Sequence, residues 1–239
     1  DGNATNIQGT VDNDSTTTAN TTTGDSIATD VSGIQAGIDV TTLDVAGTAV
    51  VTGRVSNNQT ATASSVTEAT SGAGADAVVI SGGQLGTTGI DSEVVNLGGD
   101  ATLTGSAQVG QVAGATITTG DADASGTASS QITGVSNTED LDANADLTVD
   151  ADAVLSIDTD ATNTSGGATT SATSTQTGNV KGYEQFGEFD VAGDFTVDAD
   201  AQATLDATAI SNANDATAQS VGTGQITGAE FDNSVSDGS

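Results

Sequence analysis

From Leu141 to Ile157 the odd positions read Leu, Ala, Ala, Leu, Val, Ala, Ala, Leu, Ile. The even positions between them carry Asp142, Asn144, Asp146, Thr148, Asp150, Asp152, Val154 and Ser156. A period of two with one apolar face predicts a half-buried β-strand, because successive side chains of a strand point to opposite faces. A helix would spread these carboxylates around its whole circumference. The same alternation holds in a quieter segment, where Ala122, Ala124, Gly126, Ala128, Ser130, Ile132 and Gly134 share one face. Thr and Val favour strands, and SerGlyGly at 165–167 and AsnAspAla at 214–216 supply turn residues. The fold class expected is all-β.

The strand pattern recurs. AlaAspLeuThrValAspAlaAspAla at 145–153 returns as GlyAspPheThrValAspAlaAsp at 193–200, and weaker copies lie at 101–107, 49–55 and 6–11. Anchors at Ile7, Val51, Leu103, Leu147 and Phe195 are spaced by 44, 52, 44 and 48 residues. All four spacings are even, as a period-2 structure requires if its buried face is to stay buried. A second motif follows each anchor: GlnIleThrGly at 131–134 and 225–228, AsnValLysGly at 179–182, ValIleSerGly at 79–82 and AspValSerGly at 30–33. The reading is one continuous β-body over 1–239, in five repeats of approximately 1–40, 41–92, 93–138, 139–186 and 187–239. An unbroken strand of twenty residues would be about 65 Å long, so the runs are expected to bend. A β-solenoid with two coils per repeat is the favoured architecture, and antiparallel β-layers or a β-sandwich the alternative.

Composition narrows the core. Only 34% of residues are hydrophobic and 2% aromatic, and much of the apolar share is Ala and Val. At about 0.8 kcal/mol per buried CH2, small side chains contribute little apiece, so the fold leans on backbone pairing. Low hydrophobicity with a net charge of −31 also describes disordered chains, but the absence of Pro and the strict apolar period argue for a folded one.

Charge and missing residue types exclude whole function classes. Arg54 and Lys181 are the only basic residues, too few for phosphates of nucleic acid or for an anionic membrane surface. No stretch approaches the roughly 20 apolar residues of a membrane-spanning helix. Without His or Cys there is no Ser-His or Cys-His nucleophile and no nitrogen or sulfur metal site. Carboxylate pairs of glycosidase spacing exist formally, but sugar clefts need aromatic platforms, and five aromatic residues are few. No enzyme is expected. A chain opening on Asp1 rather than Met is expected to have lost a leader, which points to an extracellular or cell-surface location.

The recurrent polar feature is a pair of carboxylates two residues apart: Asp150 with Asp152, Asp198 with Asp200, and Asp158 with Asp160. On a strand such a pair projects to one side about 6.5–7 Å apart, a spacing that can flank a cation. These six residues are the candidate calcium site; no cofactor is required, and no calcium-loop signature is present. Tyr183, Phe186 and Phe231 lie near repeat junctions and are candidates for contact with a neighbouring subunit, while Phe189 and Phe195 are in phase with the buried face. Asn3, Asn13, Asn20, Asn58 and Asn163 head Asn-x-Ser/Thr triplets, candidate glycosylation acceptors.

LeuThrValAspAlaAsp at 147–152 and PheThrValAspAlaAsp at 195–200, set in a Cys-free and almost Lys/Arg-free chain, resemble the repeats of secreted acidic Thr/Ala/Asp/Gly-rich proteins of prokaryotic cell surfaces. That resemblance implies a fibre, adhesin or surface-layer role. The expected function is therefore a structural subunit of an extracellular filament, sheath or biofilm matrix, joined head-to-tail to copies of itself through sheet edges. The alternative is an adhesin or calcium-binding β-repeat module. Cations are the other partner class, with no nucleic acid and no membrane insertion.

Overall fold

A computed structural model describes residues 4–21, 25–30, 35–65, 75–81, 86–118, 122–164, 169–212 and 215–231. Among them there is no helix. The first sheet holds five long strands in sequence order: β1 (Ala4–Thr21), β4 (Thr48–Ser65), β7 (Ala101–Ile117), β10 (Leu147–Asn163) and β13 (Phe195–Ser211). The second sheet is built on β8 (Ala122–Asn137), β11 (Thr169–Gln185) and β14 (Asp215–Phe231). Level with β8 stand β5 (Ala75–Ser81) and β6 (Gly86–Leu97), and beyond them β2 (Ser26–Asp30) and β3 (Gln35–Val45). Two three-residue strands, β9 (Leu141–Ala143) and β12 (Phe189–Val191), complete it.

Every one of these pairings is parallel. The expected β-solenoid with two coils per repeat is therefore corrected, and so is its antiparallel alternative: the strands lie in two sheets, each long strand beside its counterpart one repeat away. The chain leaves one sheet for the other and returns before laying down the next strand, so neighbours within a sheet run the same way. The expected bends inside the long runs are also absent from the first sheet. Seventeen-residue strands, about 56 Å long at 3.3 Å per residue, pair at every position.

Register follows the sequence anchors with one correction. Ile7 lies beside Val51, Val51 beside Leu103, and Leu147 beside Phe195. Leu103, however, lies beside Val149 and not Leu147. The slip is two residues, so the buried face is unchanged. In β10 the burial alternates without a fault from Leu147 to Asn163.

The interior is divided into three apolar compartments. The largest holds Leu43, Val51, Ile90, Leu97, Leu103, Leu141, Leu147 and Tyr183 among others. A second contains Val109, Ile132, Leu155, Ile157 and Val180. The third is nearly all alanine, with Ala61, Ala113, Ala124, Ala161 and Ala172 around Ile117. Between the second and third runs a polar layer. Thr159 and Ser174 share a 2.5 Å hydroxyl contact across the two sheets, and Gln176 Nε2 donates to Thr159 Oγ1 at 2.8 Å and to the Ile157 carbonyl at 3.2 Å. In the same layer Gln111 Nε2 donates to Gln59 Oε1 at 3.3 Å and to the Ser129 carbonyl at 3.1 Å. Side-chain amides stacked one rung apart in this way fix the register that the small alanines alone leave loose.

Candidate functional site

The two sheets touch backbone to backbone along a column of glycines. In the second sheet Gly37, Gly89, Gly134, Gly182 and Gly228 follow one another from rung to rung, and opposite them in the first sheet lie Gly9, Gly53, Gly105, Ala151 and Ala199. A Cβ on Gly182 would stand 2.6 Å from the Gly228 carbonyl oxygen and 3.0 Å from the Ala199 carbonyl carbon. Nothing larger than the methyls of Ala151 and Ala199 stands between the sheets at this level.

The column also resets the side-chain phase of the second sheet. Pairing of β11 with β8 and β14 runs unbroken through Lys181, omits Gly182 and resumes at Tyr183. Val180 and Tyr183 are consequently both buried although they are three positions apart, an odd offset. Ile132 and Val135 repeat the switch in β8. The sequence motifs at 131–134, 179–182 and 225–228 mark this column, but those at 79–82 and 30–33 do not. Val79, Ile80 and Ser81 pair with Gly126, Thr127 and Ala128, and the true counterparts of Gly134 are Gly89 and Gly37. The misreading has a simple cause: GlyThrThrGly at 86–89 keeps the glycine but loses the apolar residue before it. Gly82 and residues 31–33 lie outside the described residues.

Both outer surfaces are hollowed at the level of the column. On the first sheet a groove of about 510 Å3, lined by Ser106, Gln108, Asp152, Val154, Asp200 and Gln202, continues into one of about 380 Å3 that contains Thr10, Asp12, Arg54 and Ser56. It crosses all five strands, and its lining is more polar than apolar.

The six candidate calcium residues all stand on this outer face, exposed. Asp150 lies beside Asp198 and Asp152 beside Asp200, which makes a four-carboxylate patch. Asp158 lies beside Asp206, but Asp160 beside Thr208. Partial burial, followed by the charges of Asp150, Asp200 and Asp198, raises the Asp152 carboxyl above its ordinary range. Asp158 is raised in the same way, by burial and then by Asp160 and Asp206. On the second sheet Asp91 is raised by burial first and then by Asp39, Glu184 and Glu93. Among the described residues no group of three or more carboxylates converges as ligands of one metal ion would. The side chains stand side by side on the outer face of the sheet and repel.

The last rung is open. Among the described residues β13 pairs only with β10, and β14 only with β11. Ile132, Val180 and Ile226 occupy one interior column; the first two are sealed at 1% and 0% exposure, whereas Ile226 is 55% exposed. An aromatic cluster lies at this end: Phe189 and Phe195 rings are 4.6 Å apart, and Phe231 stands 5.5 Å from Tyr183 and 6.0 Å from Phe189. Of the three aromatics expected to reach a neighbour, only Phe231 is exposed; Tyr183 is fully buried, its hydroxyl donating to Gln185 Oε1 at 3.1 Å, and Phe186 is half-buried. Burial raises the Tyr183 phenol far above its usual value. Phe189 is buried and Phe195 packs against the core, as their phase implies.

The first rung is open as well. Among the described residues β1 pairs only with β4, and its inward residues Ile7 and Val11 are half-buried while Val51 and Val55 beside them are sealed. β1, β13 and β14 contain neither Pro nor Lys, the residues that commonly block edge pairing.

Of the Asn-x-Ser/Thr sites, Asn163 is fully buried and Asn13 points between the sheets, donating to Asn57 Oδ1 at 2.9 Å. Asn20 and Asn58 are on the outer face, where Asn58 Nδ2 donates to Asp14 Oδ1 at 3.0 Å. Asn3 lies outside the described residues.

No protein-family model matches the chain, and neither a curated protein nor a solved structure is found to be similar to it.

Proposed function

We propose that this protein is a structural subunit of an extracellular filament, sheath or matrix, and that copies of it stack head-to-tail so that the first rung of one continues the last rung of another. The reading is of a non-catalytic, self-associating protein. The observation that carries it is the open last rung, where Ile226 is 55% and Phe231 39% exposed on a surface flanked by two parallel edges that no other described strand pairs. Burying that rung under another removes apolar surface from water and satisfies two rows of backbone groups at once. Parallel edges at opposite ends of a stack make a heterologous contact, and a heterologous contact that does not close into a ring propagates as a fibre.

The test is sedimentation and negative-stain microscopy of the 239-residue chain in low and high salt. Fibres or linear oligomers whose length grows with concentration are expected. A monomer at every concentration and salt would overturn the reading.

A second reading, a surface adhesin or cation-binding module, is favoured by the polar groove across the first sheet and the carboxylate patch at its edge. A calcium titration followed by melting temperature separates the two, since only a bound ion would stabilise the monomer more than magnesium or an equal ionic strength of sodium does.

A further inference from the structure

Resting on the head-to-tail reading above, we infer that the joint between two copies has a single register, in which Gly9 of one copy lies beside Ala199 of the other, and that the carboxylates of the two edges enforce it.

The argument begins at the glycine column. Within the chain, Gly9, Gly53, Gly105, Ala151 and Ala199 stand side by side across the first sheet, each opposite a glycine of the second sheet. A larger side chain at that level would collide with backbone. An added first rung must therefore bring Gly9 next to Ala199 and Gly37 next to Gly228.

That register decides every other pair. On the outer face Gln8 falls beside Asp198, Thr10 beside Asp200 and Thr16 beside Asp206, while Asp12 falls beside Gln202 and Asp14 beside Thr204. No carboxylate of β1 meets a carboxylate of β13. Inside, Ile7 covers Val197, Val11 covers Ala201 and Ala19 covers Ala209.

The alternatives fail on charge. A slip of one residue turns the apolar face outward, so only even slips matter. A slip of two residues sets Asp12 beside Asp200 in one direction and Asp14 beside Asp206 in the other. A slip of four sets Asp12 and Asp14 beside Asp198 and Asp200, or Asp12 beside Asp206. Like charges directly opposite on neighbouring strands are destabilising. This contrasts with the joint between β10 and β13 inside the chain, where Asp150 meets Asp198 and Asp152 meets Asp200. A covalently connected rung tolerates such stacking, whereas an association between separate molecules must overcome it.

In the second sheet the same register lays Ile38 beside Ala229 and Val40 beside Phe231. It creates two like-charge contacts: Asp39 beside Glu230, which already has the Lys181 ammonium 2.7 Å away, and Asp44 beside Asp190, where β3 would continue the column of β6, β9 and β12. The partner that fits this surface is thus a second copy of this chain, presenting β1 and β3.

The chain has no cysteine, so a disulfide can report the register directly. Neighbouring strands are about 4.8 Å apart, within the Cα separation a disulfide spans. Single variants on the outer face, Gln8→Cys, Thr196→Cys, Asp198→Cys and Asp200→Cys, are mixed in pairs under mild oxidation and resolved on a non-reducing gel. The Gln8→Cys and Asp198→Cys pair should give dimer at least tenfold faster than Gln8→Cys with either Thr196→Cys or Asp200→Cys. Faster cross-linking of a shifted pair, with fibres still forming, would overturn the register and leave the stacking intact. Asp198→Cys cross-linking to itself in preference would overturn the head-to-tail joint in favour of like edges meeting. No cross-link and no oligomer of the unsubstituted chain would overturn both.

Discussion

Gly134 in the second sheet and Asp152 in the first are so close that a Cβ on Gly134 would stand 2.8 Å from the Asp152 backbone nitrogen. The obstacle is main chain, which cannot swing aside as a flexible side chain does. Gly134→Ala should therefore destabilise by about 3 kcal/mol, the upper end of what overpacking usually costs. Gly114→Ala is the contrast: its Cβ would meet nothing nearer than a Thr62 methyl at 3.6 Å, an ordinary contact. Relief of glycine's unfolded-state freedom should make that change neutral or stabilising by about 0.5 kcal/mol. Thermal melts of the two variants decide it, and equal losses would mean that the sheets do not touch at the column.

The alternation of β10 gives a second pair of outcomes. Leu147 is fully buried and Thr148 exposed. Leu147→Asp puts an unpaired carboxylate into the largest apolar compartment and should cost several kcal/mol, enough to abolish a cooperative melt. Thr148→Asp, one position along, lies between Thr102 and Thr196 on the outer face and should shift the melt only slightly.

These residues also show where sequence reasoning reaches and where it stops. Alternation around Leu147 gave strand, face and the approximate repeat, because a period of two is a local property of each run. Strand direction is not local. It depends on whether the chain reverses beside itself or first crosses to a second sheet, and the residues at 165–167 and 214–216 serve either path. The length of the strands was also hidden. The usual limit of 5–6 residues reflects typical domains, and nothing in one copy of β10 reveals that β7 and β13 will match it at every position. The phase switch at Gly182 was legible in principle, since Val180 and Tyr183 are both large and apolar but an odd distance apart. The glycines and polar residues around them hid it, because they leave few other apolar positions to set the phase. For the candidate site, the sequence places the aspartates two apart on one strand face, whereas their stacking between strands needs the register of β10 on β13.

That stacking has a pH signature. Asp152, Asp158 and Asp91 all have carboxyls raised by burial and by neighbouring acids, so the folded state holds their protons more tightly than the unfolded one. Where the folded state binds more protons, stability falls as pH rises. The penalty is complete above the raised values and is relieved as pH drops through them towards the ordinary carboxylate value of about 3.9. The melting temperature should accordingly rise on mild acidification from neutral pH, and added sodium chloride at neutral pH should raise it too by screening. Asp152→Asn should shrink the pH response. A melt indifferent to both pH and salt would show that the outer carboxylates do not repel one another.

One cation is placed to relieve the same repulsion on the second sheet. Glu184 and Glu230 are direct neighbours in β11 and β14, and Lys181 Nζ reaches both, at 2.5 and 2.7 Å. Burial alone would lower the ammonium pKa, but its hydrogen bonds to the two glutamates outweigh that and raise it. Lys181→Gln leaves the two carboxylates facing each other and should destabilise by about 1 kcal/mol at low ionic strength, the scale of a partly exposed ion pair. High salt should recover much of the loss. In a Glu230→Gln background the same lysine change should cost less, because one of the two charges it neutralises is gone. The difference between the two backgrounds is the coupling of Lys181 to Glu230, read from four melts. A coupling of zero would mean that this lysine does not hold β14 onto β11 and that the last rung is retained by its backbone ladder and aromatic contacts alone.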